Sequence, residues 1–596
     1  MSYSPPIKEI MFAVTELAGL ERITGLPGFE DATAETAQAV IEESAKLCAE
    51  VIAPLNVVGD KNPSSWKDGA VTPPPGFADA YRQYATGGWQ GVQHPLEYGG
   101  QGLPKLLATP CLEMANAANA AFALCAVLTD GAIDALLTAG TEEQKQRYLP
   151  NLIAGKWTGT MNLTEPQAGS DLALLRTRAE PQDDGTYRIF GTKIFFTWGE
   201  HDMAENIVHL VLARTPTAPP GVKGISLFTV PKFLVNADGS LGAHNDVQCV
   251  SIEHKLGIRG SATATLQFGD HGGAVGQLVG EENQGLKYMF IMMNAARFAA
   301  GVQGVAFSDV AYQKAAAYAR ERVQGQPVDG SARQSVPIIR HPDVRRMLAH
   351  MRAVSEASRA LTYVAAAHSD IAHHHADVAT RSEHQAVYEF LVPVTKGWNT
   401  ENALEVTSLG VQVHGGMGFI EETGAAQYFR DSRITTIYEG TTGIQANDLI
   451  GRKTLRDGGA VANAILARVG QTVEELAGQP GEAFADMHKH LAQGQRSMQA
   501  AVAFIVANGK KDPNGVFIGA VPYLKLAGIV LGGWQMARAM LAATRKRATD
   551  PGFYDTKIAM AQFFADYVLP QAVALEATIL GGRGSQGVLA LADDQF

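Results

Sequence analysis

The chain has 596 residues, too many for one hydrophobic core, so two to four domains are expected. Its apolar fraction of 46% and charged fraction of 18% suit a folded soluble protein, and a net charge of −11 argues against nucleic acid or an anionic membrane as the main partner. The four cysteines, Cys48, Cys111, Cys125 and Cys249, are scattered, give no zinc or dithiol signature, and suit a reducing, cytoplasmic setting.

Residues 1–157 read as an N-terminal helical domain. The opening MSYSPPIKEI places prolines and charges where a secretory signal needs an apolar core. In ETAQAVIEESAKLCAEVIAPLN apolar residues recur at helical spacing up to Pro54, and Gly87–Pro104 is a Gly/Pro-rich loop. From residue 158 to 282 β-branched and aromatic runs alternate with turns. YRIFGTKIFFTWG follows the Asp184-Gly185 turn, and NIVHLVLART and GISLFTVPKF read as further strands, so a middle β domain is expected. Residues 283–452 return to long helices, the first predicted from Met289 to Val323, and end on a Gly-rich stretch and another helix. Residues 453–596 read as an additional helical region. Apolar stretches such as Leu526–Trp534 fall short of the roughly 20 residues a membrane crossing needs, so no transmembrane helix is expected; a peripheral membrane association stays open. The expected class is α+β multidomain: a helical domain, a β-barrel-like domain, a four-helix-bundle domain and an extra helical domain.

Four segments stand out: MNLTEPQAGSDLALLRTRA (161–179), GTKIFFTWGEHD (191–202), HKLGIRGSATATLQFGD (254–270) and GVQVHGGMGFIEETGAAQYFRDSRITTIYEGTTGIQ (410–445). In this order and at these separations they resemble the acyl-CoA dehydrogenase family, over roughly residues 40–452. The long chain, its N-terminal extension and its fourth helical region are similar to a bacterial subgroup that includes 3-methylmercaptopropionyl-CoA dehydrogenases and large fatty-acyl-CoA dehydrogenases. The resemblance implies FAD as cofactor, an acyl-CoA as substrate, an electron-transfer flavoprotein as electron acceptor, and a homodimer or dimer of dimers.

Oxidising an acyl thioester to its enoyl form removes a weakly acidic proton from Cα and a hydride from Cβ. Such a site needs a base, polarisation of the carbonyl and a hydride acceptor. Glu439, in IYEGTTGIQ, is the candidate base: Gly440 allows close backbone approach, and burial against an acyl chain raises a carboxyl pKa. A solvated helix-cap acid is the alternative. Some relatives carry the base on the long helix beside an Arg, but Asn294-Ala295-Ala296-Arg297 offers no carboxylate there.

The resemblance implies further roles. Leu163 and Thr164 would bond the flavin ring, and Thr197 its N5. Phe195 would cover an isoalloxazine face where many members have Trp, and Trp198 stands where many have Asn. Gly169 and Ser170 would face the flavin pyrophosphate or the CoA. Arg322, Gln412, Gly415 and Gly416 would hold the ADP half of FAD from a neighbouring subunit. Thr441 would lie near the FAD, with Gly443 replacing a family Gln. Arg297 would position Glu439, a plain ion pair being the alternative. Asn294, Arg297, Ser170 and Gly440 would contact the substrate.

The Gly582–Gly587 run fits GxGxxG but leaves no room for a βαβ unit. His373, His374 and His375, with His368 and His384, read as a polar helix surface, and no metal is expected. An acyl-CoA oxidase and a flavin-binding protein without catalysis are the rival functions. The acyl group is open between 3-methylthiopropionyl and a medium or long fatty chain, with the pocket floor expected from Trp89–Tyr98 and Tyr288–Arg297.

Overall fold

A computed structural model describes residues 3–581 and 583–596; Gly582, where the GxGxxG run starts, lies outside them. The order is helices, sheet, helices, helices. In the first part, α1 (Ala34–Leu47) starts at Thr33, whose hydroxyl accepts from the Thr36 N–H at 3.2 Å. The much longer α2 (Lys105–Ala139) is buried along almost all its length. It kinks at Asn119 (φ −164°, ψ 95°), whose side-chain oxygen caps the second half by accepting from the Phe122 N–H at 3.2 Å.

The middle part is an eight-stranded sheet. Its strands are β1 (Trp157–Asn162), β2 (Arg178–Pro181), β3 (Tyr187–Thr197), β4 (Asn206–Ala213), β5 (Ser226–Pro231), β6 (Val247–Ile252), β7 (Thr263–Phe268) and β8 (Ala274–Val279). They lie in the order β6-β7-β3-β8-β5-β4-β1, with β2 against β3, an open path in which only β1 and β4 run parallel. Pairing of β3 with β7 slips between Ala264 and Leu266, so Ile194 and Phe195 together oppose Thr265. This bulge re-aims Phe195 outward.

Three long helices follow: α3 (Gly285–Glu321), α4 (Pro342–His374) and α5 (Val378–His414). Gly301 and Gly304 let α3 approach α5 closely; a Cβ at Gly304 would lie 2.6 Å from the Asn399 backbone. This contact sets Lys396 of α5 beside Gly301, about one turn along α3 from Arg297. After α6 (Thr442–Ile450), the last part packs α7 (Ala460–Ala477), α9 (Ala520–Lys546) and α10 (Pro551–Tyr567) against the bundle, with α8 (Glu482–Asn508) lying across these helices. Trp398 of α5 lies in a groove formed by Gly528 and Gly532 of α9, where a Cβ would meet its ring at 2.2 and 2.4 Å.

One expectation needs correction. Lys105–Ala139, Gly285–Glu321, Ala520–Lys546 and Pro551–Leu580 are each long and apolar enough to cross a membrane. The first three spend that apolarity inside the protein, where most of each is buried. Wide helix faces are apolar because several layers of neighbours cover them.

Candidate active site

Glu439 lies in the short link between the Arg433–Thr436 turn and α6, half-buried, with φ +55°. A left-handed backbone is rare for a non-glycine residue and is held here by its surroundings. Gly440 continues in the same region at φ +86°. The Glu439 and Gly440 carbonyls both accept from Gln445 Nε2 at 3.1 Å, and Lys396 Nζ donates to the Gly440 carbonyl at 2.7 Å. Glu439 is therefore not a helix cap: Thr441 caps α6, its hydroxyl accepting from the Ile444 N–H at 3.2 Å. Among the described residues neither the Glu439 N–H nor its carboxylate has a hydrogen-bond partner.

Burial raises the Glu439 carboxyl pKa, while the charges of Lys396 and Arg297 pull it down. Lys396 is fully buried, and burial pushes its ammonium down to about 8, the Glu439 charge opposing the shift. Arg297 pairs with Asp448 at 3.4 Å, and its Nε is buried without a partner. Burial also lowers its pKa, against the pull of Asp448. The ion pair and the proximity to Glu439 thus coexist.

The loop after β1 is built on a buried pair. Lys193 and Glu165 lie 3.0 Å apart; Glu165 also accepts from the Arg176 and Thr177 N–H groups at 2.8 and 3.0 Å, and Lys193 donates to the Leu163 carbonyl at 2.9 Å. The Thr164 carbonyl accepts from the Ile194 N–H at 3.0 Å. Leu163 and Thr164 are thereby fixed beside Phe195 and Thr197 on β3. Phe195 is 58% exposed at φ +66°, an aromatic ring held outward in a strained conformation. Among the described residues the Thr164 and Thr197 hydroxyls make no hydrogen bond. Trp198 turns the other way, buried, with its N–H on the Ala121 carbonyl at 2.9 Å. Gly169 and Ser170 are exposed, and Asn294 is half-buried on α3.

Arg322, Gln412, Gly415 and Gly416 form a separate group. Tyr318 stacks on His414 at 4.4 Å, so the ends of α3 and α5 meet there, and all four residues are exposed. Along α3 this end lies about 37 Å from Arg297, so the two groups do not meet within one chain. His368 and His384 are not a polar surface as the sequence suggests; they are buried with ring centroids 4.6 Å apart. Among the described residues no cluster is suited to a metal.

Sequence reasoning missed Lys396, Asp448 and Gln445. The available signal for Lys396 was a single charge in the otherwise apolar stretch Phe390–Trp398. A cavity of about 60 Å³ brings Trp89, Gln90, Val92 and Gln93 together with Lys105, Asp130, Ala295 and Phe298. Part of each expected floor segment lines it.

Four family descriptions cover nearly all of this architecture. Residues 34–156 match the acyl-CoA dehydrogenase N-terminal domain, 160–271 its middle domain, 283–454 its C-terminal domain, and 465–589 an acetyl-CoA dehydrogenase C-terminal-like domain. The chain is 50% identical to a 3-methylmercaptopropionyl-CoA dehydrogenase of Ruegeria pomeroyi over 581 residues, covering 97% of this chain and 98% of that one. It is 35% identical to a broad-specificity linear acyl-CoA dehydrogenase, FadE5, of Mycobacterium tuberculosis, over 95% of this chain and 96% of that one. A Bacillus anthracis acyl-CoA dehydrogenase crystallised with FAD shares the fold at a TM-score of 0.73 and 22% identity, over 96% of this chain and 91% of that one.

Proposed function

The chain belongs to the acyl-CoA dehydrogenase family, and from that premise we propose that it converts an acyl-CoA to the trans-2-enoyl-CoA with Glu439 as base. The observation that carries this reading is an unpartnered, burial-raised carboxylate beside Lys396 and Arg297, with its own N–H free. The Glu439 carboxylate takes the α-proton. Its N–H, held in the left-handed turn, donates to the thioester carbonyl and stabilises the enolate that forms. Lys396 and Gln445 keep that turn in place through the Gly440 carbonyl.

The residues on β3 and the loop before it fit a flavin: an exposed ring at Phe195, two free hydroxyls at Thr164 and Thr197, and a loop anchored by the Lys193–Glu165 pair. Bound FAD supplies the acceptor for the hydride leaving Cβ. An electron-transfer flavoprotein is the proposed electron acceptor. The exposed Arg322, Gln412, Gly415 and Gly416 serve the site of a second subunit, since about 37 Å of helix separates them from their own Arg297.

The acyl group proposed is 3-methylthiopropionyl. The support is the 50% identity, over nearly the whole chain, to the 3-methylmercaptopropionyl-CoA dehydrogenase of Ruegeria pomeroyi. The test is anaerobic titration of the holoenzyme with propionyl-, 3-methylthiopropionyl-, octanoyl- and palmitoyl-CoA, read by flavin absorbance. Bleaching by the methylthio substrate is expected. A flavin left oxidised by every member overturns the reaction, bleaching by palmitoyl-CoA alone overturns the substrate, and peroxide release matching turnover in air makes the enzyme an oxidase.

A further inference from the structure

A second cavity, of about 410 Å³, lies where the N-terminal extension, the α4–α5 pair, α7 and α9 meet, and its size is that of a small-ligand site. Its walls gather Arg22, Arg468 and Arg538 with His368, His384 and Trp534. The cations are poorly compensated. Glu475, the carboxylate in the lining, also pairs with Arg545 at 3.3 Å, and Arg468 pairs with Glu383 at 2.5 Å. Arg538 donates to neutral acceptors, the Leu17 carbonyl at 2.7 Å and Gln535 Oε1 at 2.6 Å, while Arg22 has no ion pair among the described residues. Burial, and after it the charge of Arg22, lower the Arg538 pKa to about 10, against the pull of Glu475.

His368 and His384 line the same cavity. Each is 8% exposed, and the Nδ1 atom of each is buried without a hydrogen-bond partner. Converging cations and orphaned ring nitrogens both destabilise an empty site. An anion between the guanidinium groups relieves the first. Guanidinium groups match phosphate oxygens in pairs, and Trp534, with Arg538 5.7 Å from its ring, offers an apolar wall.

We propose that this cavity binds a phosphate-bearing anion, which clamps the N-terminal extension and the C-terminal helices onto the bundle. The site stands on these contacts and does not depend on the dehydrogenation reading. Its phosphate comes either from a free phosphorylated metabolite or from the CoA part of a substrate, and only the second source rests on the dehydrogenation reading.

The probe is inorganic pyrophosphate, added to the full-length holoenzyme at ionic strength matched with chloride. A saturable rise of a few degrees in the unfolding midpoint is expected, with none from chloride. Arg22→Gln, at an exposed position, and Arg538→Gln are expected to raise the half-saturating concentration about tenfold or more. Should Arg538→Gln fail to fold, Arg22→Gln still decides. An unchanged KM for acyl-CoA in Arg22→Gln identifies a free metabolite, and a raised KM identifies the CoA phosphates. No rise in the parent enzyme, or an equal rise in Arg22→Gln, overturns the proposal.

Discussion

Two buried charge clusters share the helical bundle and are satisfied to different degrees. Around Arg359 every charge has a partner. Its Nε and Nη2 donate to Glu113 at 2.9 and 2.7 Å, Nη2 lies 3.0 Å from Asp309, and Tyr363 donates to the other Glu113 oxygen at 2.8 Å. The network extends through Arg352, which bonds Glu356 and Glu9 at 2.7 Å each, to Lys557, 3.1 Å from Glu356. It ties the N-terminal extension, α2, α3, α4 and α10 into one body. Around Glu439 the accounts stay open: the carboxylate has no hydrogen bond, Arg297 has one ion pair at 3.4 Å, and its Nε is bare. Buried ions that are fully paired hold a structure together, whereas ions left short of partners are those to which a substrate can still bind.

Removing the proposed base tests the open cluster hardest. Glu439→Gln is expected to lower kcat/KM by about 10²–10⁴-fold, with flavin content and unfolding midpoint unchanged. Loss of flavin instead would make Glu439 structural. Arg359→Met is expected to have the opposite profile: about 3–5 kcal/mol of stability lost in denaturant unfolding because Glu113 is stranded, with kcat of the folded enzyme within about twofold. A large fall in kcat of folded protein would erase the distinction between the clusters.

Lys396→Met sharpens it. The Lys396 charge lowers the Glu439 pKa, so its loss should move the acid limb of kcat/KM to higher pH, with the plateau within about tenfold. The sign follows from the base: activity is present above the Glu439 pKa and is lost as pH falls through it. A limb that stays in place would leave Lys396 only the Gly440 carbonyl to hold. The smallest effect is at Phe195: Phe195→Leu should weaken FAD binding by about 0.5–1.5 kcal/mol, read from the apoprotein titration, with no change in the acid limb.

Much of this was legible in the sequence because it is local. Strand alternation and helical spacing marked the four regions, and IYEGTTGIQ named Glu439 and Gly440. The errors have a common cause. His368 and His384 looked exposed because the facing ends of α4 and α5 read as polar around them; α7 and α9, distant in sequence, cover them. The apolar length of α2 and α9 was underrated because Gly, Ala and Thr interrupt their larger side chains, yet those small residues permit close packing.

The sequence by itself determined the order of elements, since these depend on neighbours a few positions apart, and its motifs offered Glu439 as the candidate base and, through the family resemblance, Leu163, Thr164, Phe195 and Thr197 as candidate flavin contacts. Only the tertiary structure decided that Lys396 meets Gly440, 44 positions away, that Arg297 shares Asp448 while reaching Glu439, and that Phe195 turns outward. These follow from a glycine-mediated helix crossing and a slipped strand register, and no local period encodes how two distant segments pack.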